Sequence, residues 1–198
     1  MFMYPMTFDE FLDANGQQLL IEARNQASID NPLPEPLHDK LLELLRTYML
    51  VGGMPEAVKT WVKYHDFVRC QEVQDDIVVT YEDDFTKYKR NVDPILLRQT
   101  LRSAAVQATK KFVYSKVGSD YKTAEVKKSI ELLALAGIIH PVIHTDANGL
   151  PLGSEEDKSY QKILLIDTGL MLRLLNMSLG DISELTTQTL TASTADLV

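Results

Sequence analysis

Residues 93–139 read DPILLRQTLRSAAVQATKKFVYSKVGSDYKTAEVKKSIELLALAGII, and they set the fold class that we expect. Asp93-Pro94 is typical of a helix cap followed by a first-turn proline, and apolar residues then recur at helical spacing to residue 108. A short mixed segment at 114–118 precedes a clear helix over 123–136, which Gly137 ends. Helix, short helix and helix are the first elements of a winged helix.

The residues that follow predict the wing. Segments 138–145 and 160–166 are rich in β-branched side chains, and Asn148-Gly149 between them favours a turn. Asp167 is placed to cap a short helix that runs to about residue 175. We therefore predict a fold that is mainly α with a small β-wing, a helical bundle plus a winged-helix-like domain.

The first half of the chain predicts helices only. Thr7 and Glu10 match a capping box, Gly52-Gly53 ends a helix over 37–48, and Pro55 begins the next. A long helix is predicted over 67–90, with Cys70 in its inward seam. We expect three parts: a helical part over 1–91, a winged-helix-like part over 92–180, and a flexible tail or truncated connection over 181–198.

Composition narrows the functional classes. The net charge is −8, so the overall field repels polyanions, and any nucleic-acid contact requires a local basic patch. Cys70 is the single cysteine, which excludes an intrachain disulfide and favours a reducing compartment. No apolar run approaches the ~20 residues that cross a bilayer, and the first residues resemble neither a signal nor a transit peptide. We expect a cytoplasmic protein without membrane contact.

Five segments resemble motifs of one known family. Residues 4–12 (YPMTFDEFL) are similar to its YPLSFxEFL, and residues 48–58 (YMLVGGMPEAV) to its YLxxGGxPEAV. Residues 111–139 resemble the family's KFxYSKxG followed by YKxxEVxxAIELLxxAGLI. Residues 149–153 are similar to its GxPLG, and residues 165–170 are similar to its FLDTGL. In this order they resemble the region of unknown function that follows the ATPase core in a family of prokaryotic AAA-type ATPases.

The resemblance implies a role without chemistry of its own. In that family an ATPase core precedes this region and a nuclease-like domain usually follows, so we expect a fragment or a gene remnant. The chain lacks G-x-x-x-x-G-K-[ST], so ATP and magnesium belong to the core and we expect no cofactor here. We expect a non-catalytic regulatory or coupling module whose partner is that core. Family-motif residues expected to be structural are Gly52, Gly53, Pro55, Glu56, Asp167 and Gly169.

Three patterns resemble catalytic or metal sites, and each favours a structural interpretation. Residues 163–167 (ILLID) imitate a Walker B strand, but Thr168 follows where Glu is usual, so Asp167 is expected to cap a helix. The Gly52-Gly53 pair lacks the lysine of a phosphate loop. His140 and His144 fall on a predicted strand, where residues four apart lie roughly 13 Å apart. We predict neither a catalytic nor a metal site.

A local excess of lysine supports an alternative function. The third helix of a winged helix enters the major groove, and Lys127 and Lys128 fall on the outward face of that helix. Residues 123–136 contain no Arg or Asn to read base edges, so a solvated face or a protein-docking surface is the competing interpretation. Candidate contacts with duplex DNA or a protein partner are Lys110, Lys111, Lys116, Lys122, Lys127 and Lys128.

Acidic residues cluster on the predicted long helix. Their spacing places them on its outer face, where we expect them to be solvated, with an i,i+4 ion pair between Asp83 and Lys87. The cluster consists of Asp75, Asp76, Glu82, Asp83 and Asp84.

Overall fold

The computed structural model describes residues 4–88, 92–146 and 156–177. Within these ranges the chain forms eight α-helices and one antiparallel sheet of two strands, which confirms the predicted fold class. The expected turn at Asn148-Gly149, the segment 149–153 and the tail 181–198 lie outside the described residues.

The helical part contains five α-helices in the order α1 to α5 and ends in a short 3₁₀ turn. Thr7 caps α1 as predicted, since its hydroxyl accepts from Glu10 N and the Glu10 carboxylate accepts from Thr7 N at 2.7 Å. The elements are α1 (Phe8–Ala14), α2 (Gln18–Gln26), α3 (Glu35–Val51), α4 (Pro55–Tyr64), α5 (Phe67–Asp84) and the 3₁₀ turn Phe85–Tyr88.

The second part follows the order of a winged helix. Asp93 caps α6 by accepting from Ile95 N, and Pro94 occupies its first turn. The elements are α6 (Pro94–Val106), the 3₁₀ turn Tyr114–Lys116, α7 (Thr123–Leu135), β1 (Ile139–Thr145), β2 (Glu156–Leu165) and α8 (Thr168–Leu174). The strands pair with Ile139 opposite Leu165, and Phe112 N donates to Gln161 O of β2 at 2.8 Å.

Buried apolar side chains form separate clusters in the two parts. Val126, Ile130 and Leu133 of α7 pack with α6, β1 and β2 in the larger cluster. The helical part holds a smaller cluster around Phe11 and Cys70. Burial raises the pKa of the Cys70 thiol to about 11, so this cysteine is an inert core residue, in agreement with its predicted place in the seam.

The predicted long helix is shorter than expected. The α-helix ends at Asp84, and the chain tightens into the 3₁₀ turn that begins at Phe85. Phe85 is buried in the cluster of the winged-helix-like part, whereas Cys70 belongs to the cluster of the helical part. Tyr81 of α5 already packs against the cluster of the winged-helix-like part, so the side chains pass from one cluster to the other within the last turns of the helix.

Helix α8 returns to the helical part after the wing. It packs against α3 and α5 as well as against α6. The division of the chain near residue 92 stays a prediction, since α8 belongs to the second part in sequence and touches the first part in space. Among the described residues, no helix combines the length and apolar character that crossing a bilayer requires.

Candidate functional site

The Gly52-Gly53 pair ends α3 in a conformation that requires glycine. Gly52 has φ +73° and donates from its N–H to Tyr48 O at 2.7 Å. A Cβ at Gly52 would collide with the Asp167 carboxylate, whose Oδ2 would lie 2.7 Å away. Both glycines are buried. At this glycine pair the backbone thus comes close to the buried carboxylate of Asp167. This contact supports the structural role expected of the two glycines.

Asp167 connects two segments that are far apart in sequence. Its Oδ1 accepts from Leu170 N at 2.9 Å, which confirms that it caps α8, and its Oδ2 accepts from Gly53 N at 2.6 Å. The side chain is 5% exposed. Sequence reasoning predicted the cap but not the bond to Gly53, which spans 114 positions. Both carboxylate oxygens of Asp167 accept hydrogen bonds from backbone N–H groups. Asp167 therefore acts as a hydrogen-bond acceptor that joins the end of α3 to the start of α8.

The entry segment before α1 is tied to the same place. Met6 N donates to Gly53 O at 2.6 Å, and the Tyr48 hydroxyl donates to Met6 O at 2.7 Å. A Cβ at Gly53 would meet the Met6 carbonyl oxygen, so glycine is required here as well. Phe8 and Phe11 pack against the Tyr48 ring with centroids 5.6 and 5.4 Å away. The backbone of the entry segment is therefore fixed to the end of α3.

A buried glutamine completes the arrangement. Gln74 of α5 is 1% exposed and donates from Nε2 to Leu50 O at 3.0 Å and to Val51 O at 2.8 Å. These are carbonyls of the last turn of α3, which have no partner within the helix. Gly169 lies against Gln74, since a Cβ there would sit 2.5 Å from Nε2. We call Met6, Gly52, Gly53, Gln74, Asp167 and Gly169 the glycine joint.

Sequence reasoning missed Gln74, although a signal was present. The residue stands four positions after Cys70, on the inward face of a helix whose other inward positions are mostly apolar. A glutamine on such a face predicts a buried hydrogen-bond partner. Pro55 and Glu56 lie beside the joint in the first turn of α4, where Pro55 begins the helix and Glu56 faces solvent near Lys59.

The acidic face of α5 is solvated at four of its five carboxylates, and two of the five pair with arginines of other helices. Arg173 of α8 forms a bidentate pair with Asp75, at 2.9 Å from Nε and 2.7 Å from Nη2. The Glu82 side chain is only 17% exposed because Arg98 and Arg102 of α6 approach it at 3.6 and 3.3 Å. Glu82 is therefore the exception to the predicted solvated face, because α6 packs against it, whereas the other four carboxylates are exposed as predicted.

The predicted i,i+4 ion pair joined Lys87 to Asp83, and the structure shows Lys87 paired with the next residue, Asp84. Lys87 Nζ lies 2.6 Å from Asp84 Oδ1, an i,i+3 pair. The tighter winding of the 3₁₀ turn from Phe85 to Tyr88 brings residues three apart into register.

The six candidate lysines are exposed and fall into two groups. Lys110, Lys111 and Lys116 line an open groove of about 530 Å³ beside α6, together with Arg102. Val106 supplies exposed apolar surface to this groove, the buried Val117 lies behind it, and Gln99, Ser103 and Gln107 supply polar groups. We call it the lysine groove.

The other three lysines lie at α7 and do not line this groove. Lys122 directly precedes the helix, and its backbone N–H donates to Glu125 Oε2 at 2.8 Å. Lys127 and Lys128 lie on the exposed face of α7, with Lys127 Nζ 5.5 Å from the centre of the Tyr114 ring. Among residues 4–88, 92–146 and 156–177, no cluster of His, Cys, Asp and Glu has the arrangement of a metal site.

A family model decides which family this chain belongs to. The model of a domain of unknown function, DUF8612, matches residues 42–181, which is most of the chain. The chain belongs to the DUF8612 family. No curated protein and no solved structure matches the chain.

The DUF8612 match covers most of what the geometry singles out. It begins within α3 and extends past α8, so it includes the lysine groove and every residue of the glycine joint except Met6. The entry segment and α1 precede it. The family description assigns no activity to the DUF8612 domain. Function must therefore be argued from the joint and the groove.

The stability of this DUF8612 domain should depend on pH through Asp167. Burial raises the pKa of its carboxyl group, and this effect outweighs the backbone N–H groups of Leu170, Gly53 and Gly169, which lower it. Because the folded pKa exceeds the unfolded value of about 3.9, the folded state binds the proton more readily. The stabilisation from protonation is complete below the unfolded pKa and is lost as pH rises through the folded pKa.

Asp167→Asn removes the titratable carboxyl group and with it this dependence of stability on pH. The wild type is therefore compared with this variant. Urea unfolding of both proteins at several pH values between about 3.5 and 7 should show the difference in unfolding free energy moving in favour of the wild type as pH falls. A difference that is constant over this range, or that moves the other way, would contradict the raised pKa.

Proposed function

We propose that this chain is a non-catalytic regulatory or coupling module of a prokaryotic AAA-type ATPase, and that it acts by docking on the ATPase core. The glycine joint carries the proposal. The entry segment, the end of α3 and the start of α8 meet there through Met6, Gly53 and Asp167, by hydrogen bonds of 2.6 Å on both sides of Gly53. In the resembled family the run that is similar to this entry segment closes the ATPase core.

The joint supports coupling because its contacts are contiguous and tightly fitted. Energetic coupling between sites travels through packed elements and hydrogen-bond networks that have discrete arrangements. A displacement of Met6 would strain its bonds to Gly53 and Tyr48, and Gly53 in turn is bonded to Asp167. A movement of the core could thus reach α8 without any chemistry in this chain.

The joint also fits the sequence resemblance. Residues 4–12, 48–58 and 165–170, three of the segments that resemble the AAA-type family, meet there. The chain has no phosphate loop, and the carboxylate that imitates a Walker B acid is engaged by backbone N–H groups. These observations support a role in which nucleotide chemistry belongs to the partner.

The test uses the full chain and a separately purified ATPase core of the resembled family from the same organism. We expect the chain alone to hydrolyse no ATP, to bind the core with Kd of about 10 μM or tighter, and to change its ATPase rate. Asp167→Asn should bind the core but change its rate less, because one acceptor of the joint is lost. No complex at about 100 μM, or ATP hydrolysis by the chain alone, would overturn the proposal.

Binding of duplex DNA is the second candidate function. It is favoured by the position of Lys127 and Lys128, which are exposed on α7, the third helix of the winged-helix order. If each contacts a phosphate, Lys127→Ala/Lys128→Ala should reduce the slope of log K against log salt by about 1.8. Fluorescence anisotropy with a labelled duplex at several salt concentrations measures this. Absence of binding at about 50 mM salt would exclude this function.

A further inference from the structure

The lysine groove concentrates positive charge beside α6. Lys110, Lys111 and Lys116 meet Arg102 there, although the net charge of the chain is −8. Of the ion pairs found among residues 4–88, 92–146 and 156–177, only the one between Arg102 and Glu82 involves a cation of this groove. Like charges brought together repel, so an acidic ligand would be attracted to the groove.

The attraction of cations to a helix C-terminus accounts for only part of this concentration of positive charge. α6 ends at Val106, and cations near the C-terminal end of a helix interact favourably with its dipole. That effect acts only weakly on Lys110 and Lys111, because both lie beyond the last turn of α6. It does not explain Arg102, which lies within α6, or Lys116, which lies in the next 3₁₀ turn. The groove gathers cations from three places in the sequence.

Apolar surface inside the groove indicates the class of ligand. Val106 is 70% exposed there although it belongs to a helix with a large buried face, and Val117 lies beside it. A phosphate backbone gains little from such a surface, whereas a leucine or similar side chain does. No aromatic residue of the described ranges lines the groove, so a nucleobase would find no ring on which to stack.

Size and polar groups also favour a short peptide. A volume of about 530 Å³ accommodates a few side chains and lies open on one side, as a segment lying across a surface requires. Gln99 and Ser103 offer an amide and a hydroxyl to a peptide backbone. Gln107 is already engaged, since its side chain bonds to Val113 N at 2.8 Å and to Ser103 Oγ at 2.9 Å. It thereby fixes the wall of the groove.

We propose that the lysine groove binds an acidic peptide segment of a partner protein, with carboxylates against Lys110, Lys111 and Lys116 and an apolar side chain against Val106. This inference rests on the docking function proposed above and names the chemistry of the docked segment. It concerns the groove beside α6, whereas Lys127 and Lys128, whose position favours the DNA candidate above, lie on α7.

The experiment measures fluorescence anisotropy of labelled peptides with the full chain. The probe is a peptide of about ten residues, glutamates around central leucines, at about 50 mM salt. The comparison probes are a peptide of glutamates alone, the same design with lysines for glutamates, and a duplex DNA. We expect Kd of about 10 μM for the first probe, several-fold weaker binding without leucines, and no binding of the lysine peptide.

Two double variants decide the matter, because each removes two positive charges but from a different surface. Lys110→Ala/Lys116→Ala removes two cations from the groove, and Lys127→Ala/Lys128→Ala removes two from α7. The first should weaken peptide binding about tenfold and the second less than about twofold. Equal weakening of peptide binding by both variants would overturn the proposal. It would also be overturned if the peptide failed to bind and the groove variant instead abolished binding of duplex DNA.

Failure of this inference can be told apart from failure of the coupling function. The groove variant is also added to the ATPase core. If the core binds wild type and variant alike and the peptide does not bind, the groove proposal is wrong and docking on the core stands. If the peptide binds as expected but the core does not, the groove is an acidic-peptide site and the AAA-type partner is wrong.

Discussion

Asp167→Ala should lower the free energy of unfolding by about 3 kcal/mol at neutral pH. The carboxylate accepts from Gly53 N and Leu170 N, and both donors are buried with it. Removing it leaves two backbone N–H groups without partners, each at a cost of roughly 1–2 kcal/mol. Urea or thermal unfolding measures the loss.

Asp93→Ala is the matched control for this substitution. Asp93 also caps a helix by accepting from a backbone N–H, but it is exposed, and its cap bond joins neighbouring residues of the chain. Its loss should cost about 1 kcal/mol, the usual effect of removing a cap. Equal losses in the two variants would mean that Asp167 acts only as a cap and that its bond to Gly53 adds nothing.

Gly52→Ala should destabilise the protein by a similar amount, about 3 kcal/mol. Two effects add. A side chain at φ +73° is strained by about 1 kcal/mol, and the new methyl group would occupy the space of the Asp167 carboxylate. Either the carboxylate moves and loses its bond to Gly53, or the end of α3 shifts. Denaturant unfolding with unchanged m-value would show the loss.

Gly137→Ala separates these two effects. Gly137 also has φ +73°, but a Cβ there would meet nothing within 4 Å. Its substitution should cost only the backbone strain of about 1 kcal/mol. If Gly52→Ala costs no more than Gly137→Ala, the close approach to Asp167 does not constrain the joint.

A double variant tests whether the two residues act together. In Gly52→Ala/Asp167→Ala the carboxylate that collides with the new methyl group is absent. The combined loss should therefore be smaller than the sum of the single losses, by about 1 kcal/mol or more. Additive losses would indicate that the two substitutions damage independent features, and the proposed path from the entry segment to α8 would lose its central contact.

The local features of the fold could be read from the sequence because they depend on neighbours in the chain. Thr7, Asp93 and Asp167 cap helices as predicted, since a cap needs only a short polar side chain and the amides two or three residues later. Helix α7 follows from the spacing of Val126, Ile130 and Leu133, which all lie in the core.

Element ends were predicted less well where a distant partner sets them. Strand β2 begins at Glu156 rather than 160, because pairing with β1 extends it through polar residues that show no strand pattern by themselves. The α-helix of α5 ends at Asp84 rather than 90, where Phe85 enters the second core cluster. Neither end can be inferred without knowing what packs against it.

The sequence alone determined the helical class, the winged-helix order, the caps and the exposure of the lysines, because periodicity and capping act over a few residues. Only the tertiary structure brought Asp167 to Gly53, placed Gln74 under the end of α3, and separated Lys110, Lys111 and Lys116 from the lysines of α7. Those arrangements join residues up to 114 positions apart, and their partners are chosen by packing geometry, which no local pattern encodes.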